Sequence, residues 1–398
     1  MKALMAVAML GLVACANVDT GPQGDNEIDC SPPSLECPLI TIAGDNASST
    51  RSFSGFADPA VIADPGAPGR LWLAYSYLEG RPARGADDRP VGVPHISTHL
   101  ARSDDGGASW RFERVLWDSE LAEDPERRGP PSYFGSETPS MAGLSVAGAT
   151  TWFSARLSYF LEPVTAYEPR YVTGWTMRVA RATGASPAAL ADAPETVLGV
   201  STTAAAYGVN LDLNQLSSQL SDCAMWNNPV VATENARLFL IAECLAFDGA
   251  EMDLDRTRMV VLSTEAAGEP VAWRWRYDGV LADRTLARAV GGERLVSATL
   301  VRGADNALLF IATPQMGSGM IGQGCVVMEL ESLAPPRLRR DAAGAPIVRA
   351  RQTSRADREF RTGACTYHPA ASATGMITVA ADTRGGLRSA LRATGLRP

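Results

Sequence analysis

The chain has 398 residues and a net charge of −8, with 46% hydrophobic and 20% charged residues. This acidic balance argues against nucleic acid or an anionic lipid surface as an electrostatic partner. Three histidines are too few for a zinc framework, and no CxxC pair occurs among the seven cysteines. We therefore expect no metal and no cofactor.

The first fourteen residues predict a secretory signal peptide. Lys2 supplies a positive start, residues 3–13 are almost entirely apolar, and the run is too short to span a bilayer. It ends at Leu12-Val13-Ala14-Cys15, which resembles the cleavage site of bacterial lipoproteins. The resemblance implies that Cys15 becomes a lipidated N-terminus. It also implies attachment in the cell envelope, with the outer membrane favoured, facing the periplasm or the exterior.

Residues 15–34 are polar and rich in Gly, Pro, Asp and Asn, which predicts a flexible spacer behind the lipidated cysteine. Six cysteines follow Cys15, and an even number in an exported chain indicates disulfides. Fifteen pairings are open. Proximity in the sequence favours Cys30–Cys37, Cys223–Cys244 and Cys325–Cys365.

Residues 35–398 predict one all-β domain, because a unit of two short apolar strands recurs. The units start near residues 58, 138, 228, 295 and 368. In the first unit, two more strands complete a four-stranded antiparallel blade. The repeats therefore predict a β-propeller of five blades, closed by an outer strand at 38–43. Six blades stay open, because residues 199–221 have room for a degenerate one.

The turn after the third strand matches S-x-D-x-G-x-[ST]-W at every fixed position, with Ser103, Asp105, Gly107 and Trp110. We expect Asp105 to accept hydrogen bonds within the turn, Gly107 to take a positive φ, and Trp110 to cover the hairpin. The turn resembles the Asp box, or BNR repeat, of sialidase-like propellers, in which this motif is structural.

Polar residues at the starts of the first strands are the candidates for chemistry, because propellers bind ligands at the central channel. A second resemblance to sialidases covers Arg81, Asp87 and Tyr367. It implies that Arg81 binds a substrate carboxylate, Asp87 is the general acid and Tyr367 is the nucleophile. Asn228 and His368 are further candidates for substrate binding.

The chain departs from the sialidase pattern at two places. Ala57 stands where the family has its first carboxylate-binding arginine, and Trp226-Asn-Asn228 stands where it has the glutamate that activates tyrosine. Asp58-Pro59 and Glu137-Thr-Pro139 instead resemble the segments of five-bladed arabinanases and xylosidases that carry the catalytic base and acid. That resemblance implies inverting hydrolysis by two carboxyl groups.

One main function and two alternatives to it therefore stay open. The first is a monomeric, membrane-anchored, sialidase-like propeller that binds, or also hydrolyses, glycans at its channel. The alternative is an arabinanase-like or xylosidase-like glycoside hydrolase, or a propeller that binds a protein without catalysis. Convergence of Asp58, Arg81, Asp87, Glu137 and Tyr367 in one channel mouth is what the enzyme hypotheses require.

Overall fold

The computed structural model describes residues 27–30, 37–46, 53–84, 90–126, 131–146, 149–161, 171–317, 322–354, 360–384 and 386–398. The predicted signal peptide, Cys15 and Asp87 lie outside these ranges. Among the described residues, no helix combines the length and the apolar character needed to cross a membrane.

Strands dominate the fold, as the recurring short apolar segments predict. In chain order they are β1 (Glu27–Asp29), β2 (Ile42–Ala43), β3 (Phe53–Ala63), β4 (Leu71–Arg84), β5 (Pro90–Ser103), β6 (Trp110–Trp117), β7 (Glu120–Ala122), β8 (Ser132–Val146), β9 (Ala149–Leu161), β10 (Tyr171–Thr183), β11 (Glu195–Gly199), β12 (Leu211–Asp212), β13 (Met225–Glu234), β14 (Arg237–Leu245), β15 (Phe247–Asp248), β16 (Glu251–Met252), β17 (Arg258–Glu265), β18 (Arg276–Ala282), β19 (Arg294–Arg302), β20 (Leu308–Gln315), β21 (Gly324–Leu333), β22 (Pro336–Leu338), β23 (Val348–Thr353), β24 (Phe360–Thr366), β25 (Ile377–Asp382) and β26 (Leu387–Ala393).

Short helices occupy some of the connections. The α-helices are α1 (Ser201–Ala204) and α2 (Arg284–Ala289). Single 3₁₀ turns are Pro187–Asp192, Ala205–Tyr207, Leu213–Leu216, Ser218–Leu220 and Pro270–Ala272. Three of these turns and α1 lie within 199–221, the stretch in which we left room for a sixth blade. The paired strand there is β12, of two residues, which joins β11 in parallel.

The strands form an all-β propeller of antiparallel groups, which confirms the predicted fold class. The first group is β3–β4–β5–β6, the second β8–β9–β10–β11, and the third β13–β14–β17–β18. The fourth is β19–β20–β21–β23 and the fifth β24–β25–β26. Because β26 also pairs in parallel with β3, the first and fifth groups share one eight-stranded sheet. The count of five blades therefore stays a prediction.

The predicted start of the last unit is wrong. The expected strand after His368 is instead a turn, and the first strand of the fifth group, β24, precedes it. The error arose because His368-Pro369 copies the polar-proline signal of the earlier units. In β24 the corresponding position is Ala364-Cys365, which has neither a polar residue nor a proline.

The N-terminal segment closes the ring, in part as predicted. Leu39 forms an antiparallel bridge with Arg392 of β26, and β2 pairs in parallel with β6. The strand β1, which falls within the expected spacer, pairs in parallel with β23. Ordered pairing of this segment covers sheet edges that would otherwise be exposed.

Buried side chains between successive groups hold the ring together. Trp72 of the first group packs with Trp152 of the second, and Phe239 of the third packs with Phe310 of the fourth. Strand β14 is buried along nearly its whole length because neighbouring groups cover both of its faces. This packing explains why such strands are continuous apolar runs and do not alternate.

All three predicted disulfides are confirmed: Cys30–Cys37, Cys223–Cys244 and Cys325–Cys365. The last connects β21 of the fourth group with β24 of the fifth. Asp222 lies near the sulfurs of Cys223 and Cys244, but those sulfurs are bonded to each other and offer no free thiolate to a metal ion.

The turn at 103–110 has the predicted local geometry. Asp105 accepts hydrogen bonds from the Ser109 amide (2.9 Å) and from the Ser103 hydroxyl (2.8 Å). Gly107 has a φ of 90°, and Trp110 is buried beside Ile42. The Ser109 hydrogen bonds are the main reason that the pKa of Asp105 falls to about 2. Kinship with the sialidase repeats stays a prediction.

Candidate functional site

Each group carries the same backbone irregularity in its first strand. The pairing with the second strand shifts register at one point, and there one residue that is not glycine takes a left-handed conformation. These residues have φ angles of 46–49° and are Asp58, Thr138, Asn228, Ser297 and Ala364. Such conformations cost about 1–3 kcal/mol each and concentrate at functional sites. The recurring bulge turns five backbone positions towards one axis.

Four of these residues, Asp58, Thr138, Asn228 and Ser297, line a cavity of about 200 Å³, which we call the mouth. Its lining brings together residues from all five strand groups. They are Phe53, Ala57, Asp58, Leu78, Ile96, Glu137, Thr138, Trp175, Asn227, Asn228, Arg294, Val296, Ser297, Gln315, Leu387 and Ser389. A smaller cavity of about 50 Å³ shares these four residues and is lined by the fifth, Ala364, as well.

Among the described residues that line the mouth, Asp58 and Glu137 carry carboxyl groups. They come from neighbouring groups and are linked through Ser76. The Ser76 hydroxyl donates to the Asp58 carboxylate (2.9 Å) and accepts from the backbone amide of Thr138 (3.0 Å), the residue after Glu137. Glu137 is only 9% exposed, and the nearby hydroxyl of Tyr159 acts to lower its pKa. Asp58 is half-buried and open to the mouth.

Both carboxyl groups hold their protons more tightly than usual. Burial is the main cause of the raised pKa of Asp58, and the hydrogen bonds from Ser76 and Thr138 oppose it. Burial and the nearby charge of Asp58 raise the pKa of Glu137 further, to about 8. Two interacting carboxyl groups titrate as a pair. At neutral pH this pair therefore offers a proton on Glu137 beside a carboxylate on Asp58.

A third carboxyl group lies directly behind the lining. Glu243 of β14 is 1% exposed, and its Oε1 lies 3.5 Å from Nη1 of Arg294 in the fourth group. The amides of Asn227 and Asn228 donate to its Oε2, each at 3.3 Å. Burial raises the pKa of Glu243, whereas Arg294 and the two amides oppose that rise.

The structure brings Asp58, Glu137 and Asn228 together at the mouth, whereas Arg81, Tyr367 and His368 are not part of its lining. Arg81 pairs with Glu79 on the same strand (3.0 Å). Asp87, the predicted general acid of the sialidase hypothesis, lies outside the described residues.

Tyr367 and His368 have structural environments. Tyr367 is 3% exposed and packs among apolar residues of the fourth and fifth groups, including Leu309 and Met376. Burial lowers the pKa of His368 to about 4, and its Nδ1 accepts a hydrogen bond from the Ala370 amide (3.1 Å). The convergence that a tyrosine nucleophile requires is therefore not present among the described residues.

Sequence reasoning missed Glu243, Arg294 and Gln315. Glu243 sits inside the apolar run LFLIAEC, and a charged residue there is itself a signal, because buried charges occur almost only with partners. Arg294 and Gln315 lie at the paired ends of β19 and β20. No feature of their local sequence marks them as members of the mouth.

The fold is similar to those of several solved structures. A family 117 glycoside hydrolase from Zobellia galactanivorans is 13% identical, with a TM-score of 0.48. The match covers 94% of this chain and 92% of that chain. A family 43 arabinoxylan arabinofuranohydrolase from Bacillus subtilis is 11% identical, with a TM-score of 0.43 and coverage of 86% and 64%. No family model and no curated protein matches the sequence.

Proposed function

We propose that this protein is a glycoside hydrolase whose active site is the mouth of the propeller. The observation that carries the proposal is the interacting pair of carboxyl groups in one cavity, half-buried Asp58 at one strained bulge and buried Glu137 directly before the next. Pairs of carboxyl groups with pKa values pushed apart are the usual machinery of glycosidic bond cleavage. This proposal takes up the arabinanase-like and xylosidase-like alternative in place of the sialidase-like one.

In the proposed reaction Glu137 is the general acid and Asp58 is the general base. Glu137 retains a proton at neutral pH because burial and Asp58 disfavour its charged form. It donates that proton to the glycosidic oxygen as the bond to the anomeric carbon breaks. Asp58 takes a proton from the water that attacks the same carbon. Proton exchange with solvent then returns Asp58 to its carboxylate and Glu137 to its acid form, which completes the cycle.

A screen of the purified full-length protein tests this proposal. The substrates are fluorogenic glycosides of arabinofuranose, xylose, galactose, glucose and sialic acid. We expect turnover of at least one of them, with Glu137→Gln and Asp58→Asn each lowering kcat by about 10²–10⁴-fold, the usual contribution of one acid or base. Glu120→Gln, at an exposed glutamate of β7, serves as the control.

Two outcomes contradict hydrolysis at the mouth. One is flat progress curves on every glycoside, which would favour a propeller that only binds glycans. The other is turnover that both carboxyl variants retain. Release of sialic acid that depends on Tyr367 would revive the sialidase hypothesis.

We also propose that the protein is exported and anchored through lipid on Cys15. The support is the cleavage-site pattern together with three disulfides, which fit an oxidising compartment. Mass spectrometry of the N-terminal peptide tests it. We expect an acylated cysteine as the first residue, and unprocessed precursor for Cys15→Ala. A free Met1 or an unmodified Cys15 in the membrane-purified protein would contradict the anchor.

A further inference from the structure

The ion pair between Glu243 and Arg294 fixes the orientation of three amide side chains at the mouth. A carboxylate only accepts hydrogen bonds, so the donating Nδ2 atoms of Asn227 and Asn228 must face Glu243. A guanidinium only donates, so the accepting Oε1 of Gln315 must face Arg294, whose Nε and Nη2 lie at 3.0 and 2.8 Å.

The opposite atoms of these amides are thereby left for the cavity. Asn227 and Asn228 present their Oδ1 acceptors, and Gln315 presents its Nε2 donor. All three residues line the mouth, and their hydrogen bonds to Glu243 and Arg294 use the other atom of each amide. A sugar hydroxyl both donates and accepts, so it can satisfy an acceptor and a donor that are held in fixed positions.

The charges at the mouth favour an uncharged ligand. Among the described residues of its lining, the ionisable ones are Asp58, Glu137 and Arg294. Arg294 is 8% exposed, its charge is paired with Glu243, and two of its nitrogens donate to Gln315. The described lining therefore holds no uncompensated cation. A carboxylated sugar would have to approach Asp58 without a counter-charge, which disfavours binding.

We propose that Asn227, Asn228 and Gln315 form a binding subsite for the hydroxyl groups of a neutral sugar, oriented by the buried pair Glu243–Arg294. The assignment of this sugar as part of a substrate rests on the proposed hydrolysis. Glu243 and Arg294 are positioning residues, because they act through the amides.

Binding of free monosaccharides to the full-length protein tests the subsite independently of turnover. Saturation-transfer NMR measures the affinities of matched neutral and anionic pairs, D-galactose with D-galacturonate and D-glucose with D-glucuronate, and of L-arabinose and D-xylose. We expect at least one neutral sugar to bind, and to bind about tenfold or more tightly than its uronate.

Gln315→Glu is the informative variant because it keeps an acceptor for Arg294 but removes the donor to the cavity. We expect it to weaken binding of the neutral sugar about 3- to 10-fold, the size of one neutral hydrogen bond. Glu243→Gln, which frees the two asparagines to rotate, should have a similar effect. Gln219→Glu, at an exposed glutamine, should leave binding unchanged. Circular dichroism confirms that each variant is folded.

The outcomes separate this inference from the proposed function. Equal or tighter binding of the uronates, unaltered neutral-sugar binding in folded Gln315→Glu and Glu243→Gln, or no binding of any of these sugars would overturn the subsite. Once a glycoside is turned over, both variants should raise its KM several-fold and change kcat less. Sugar binding that depends on the subsite in a protein without turnover would overturn only the hydrolysis.

Discussion

Replacement of Glu137 by glutamine should make the protein more resistant to unfolding at alkaline pH. The pKa of Glu137 is raised from 4.5 to about 8 in the folded protein, chiefly by burial. A raised pKa means that the folded state binds the proton more tightly than the unfolded chain does. The resulting stabilisation is fully present below pH 4.5 and is lost as the pH rises through 8.

The magnitude follows from the size of that rise. Each pKa unit corresponds to about 1.4 kcal/mol, so the full difference has an upper limit of about 5 kcal/mol. Asp58 shares the titration with Glu137, which reduces the part that one substitution removes. Between pH 5 and pH 9 we expect the free energy of unfolding of Glu137→Gln to rise by about 2–4 kcal/mol relative to the unsubstituted protein.

Urea unfolding at pH 5, 6, 7, 8 and 9, with the disulfides kept oxidised, provides the measurement. The exposed variant Glu120→Gln is the matched control and should follow the unsubstituted protein at every pH. A difference between Glu137→Gln and the unsubstituted protein that stays constant within about 0.5 kcal/mol across this range would refute the reasoning. It would mean that Glu137 ionises as readily as an exposed glutamate. Glu137 could then not serve as the general acid at neutral pH.

Three further predictions follow from the same contacts. The pH profile of kcat/KM should be bell-shaped, rising near pH 6 as Asp58 ionises and falling near pH 8 as Glu137 loses its proton. A profile that is flat from pH 5 to 9 would contradict the acid–base pair. Loss of the Cys325–Cys365 disulfide by double substitution with serine should lower the free energy of unfolding by about 4 kcal/mol, and the same loss of Cys223–Cys244 by about 3 kcal/mol. The first effect is larger because the Cys325–Cys365 bond closes the longer loop. Denaturant titration measures both, and a reversed order would contradict this account. Thr138→Gly should stabilise the fold by about 1 kcal/mol, since a β-branched residue at a φ of 49° is strained and glycine is not; a lower thermal midpoint would refute that strain.

The fold and one half of the site could be predicted from the sequence because their signals are local. A polar residue followed by proline marks the bulges of Asp58 and Asn228, and Glu137 directly precedes such a bulge. The same signal misled at His368, where the sequence has the dipeptide but the chain makes a turn. Local sequence patterns indicate the secondary structure of a segment. Which residues of other segments contact it depends on how the strand groups are arranged around the ring.

The other half of the site depends on such non-local contacts. Glu243 and Arg294 lie 51 positions apart in the numbering and meet only because the third and fourth groups are neighbours in space. The stacking of Tyr77 on His99, with Asp45 bonded to that histidine at 2.6 Å, is a further example. Hydrophobic periodicity carries no information about such polar pairs.

Ring closure has a consequence for how the chain acquires its structure. Phe53–Gly55 of β3 pair with Leu387–Ser389 of β26, and Leu39 bridges to Arg392, so segments separated by more than 330 residues lie side by side. Contacts between such distant segments form late, because a very long loop must close before any of them is gained. During synthesis the first strand group therefore has no parallel neighbour until β26 has emerged. Removal of β26 should leave a chain that is open at this seam and prone to associate through the edge of β3.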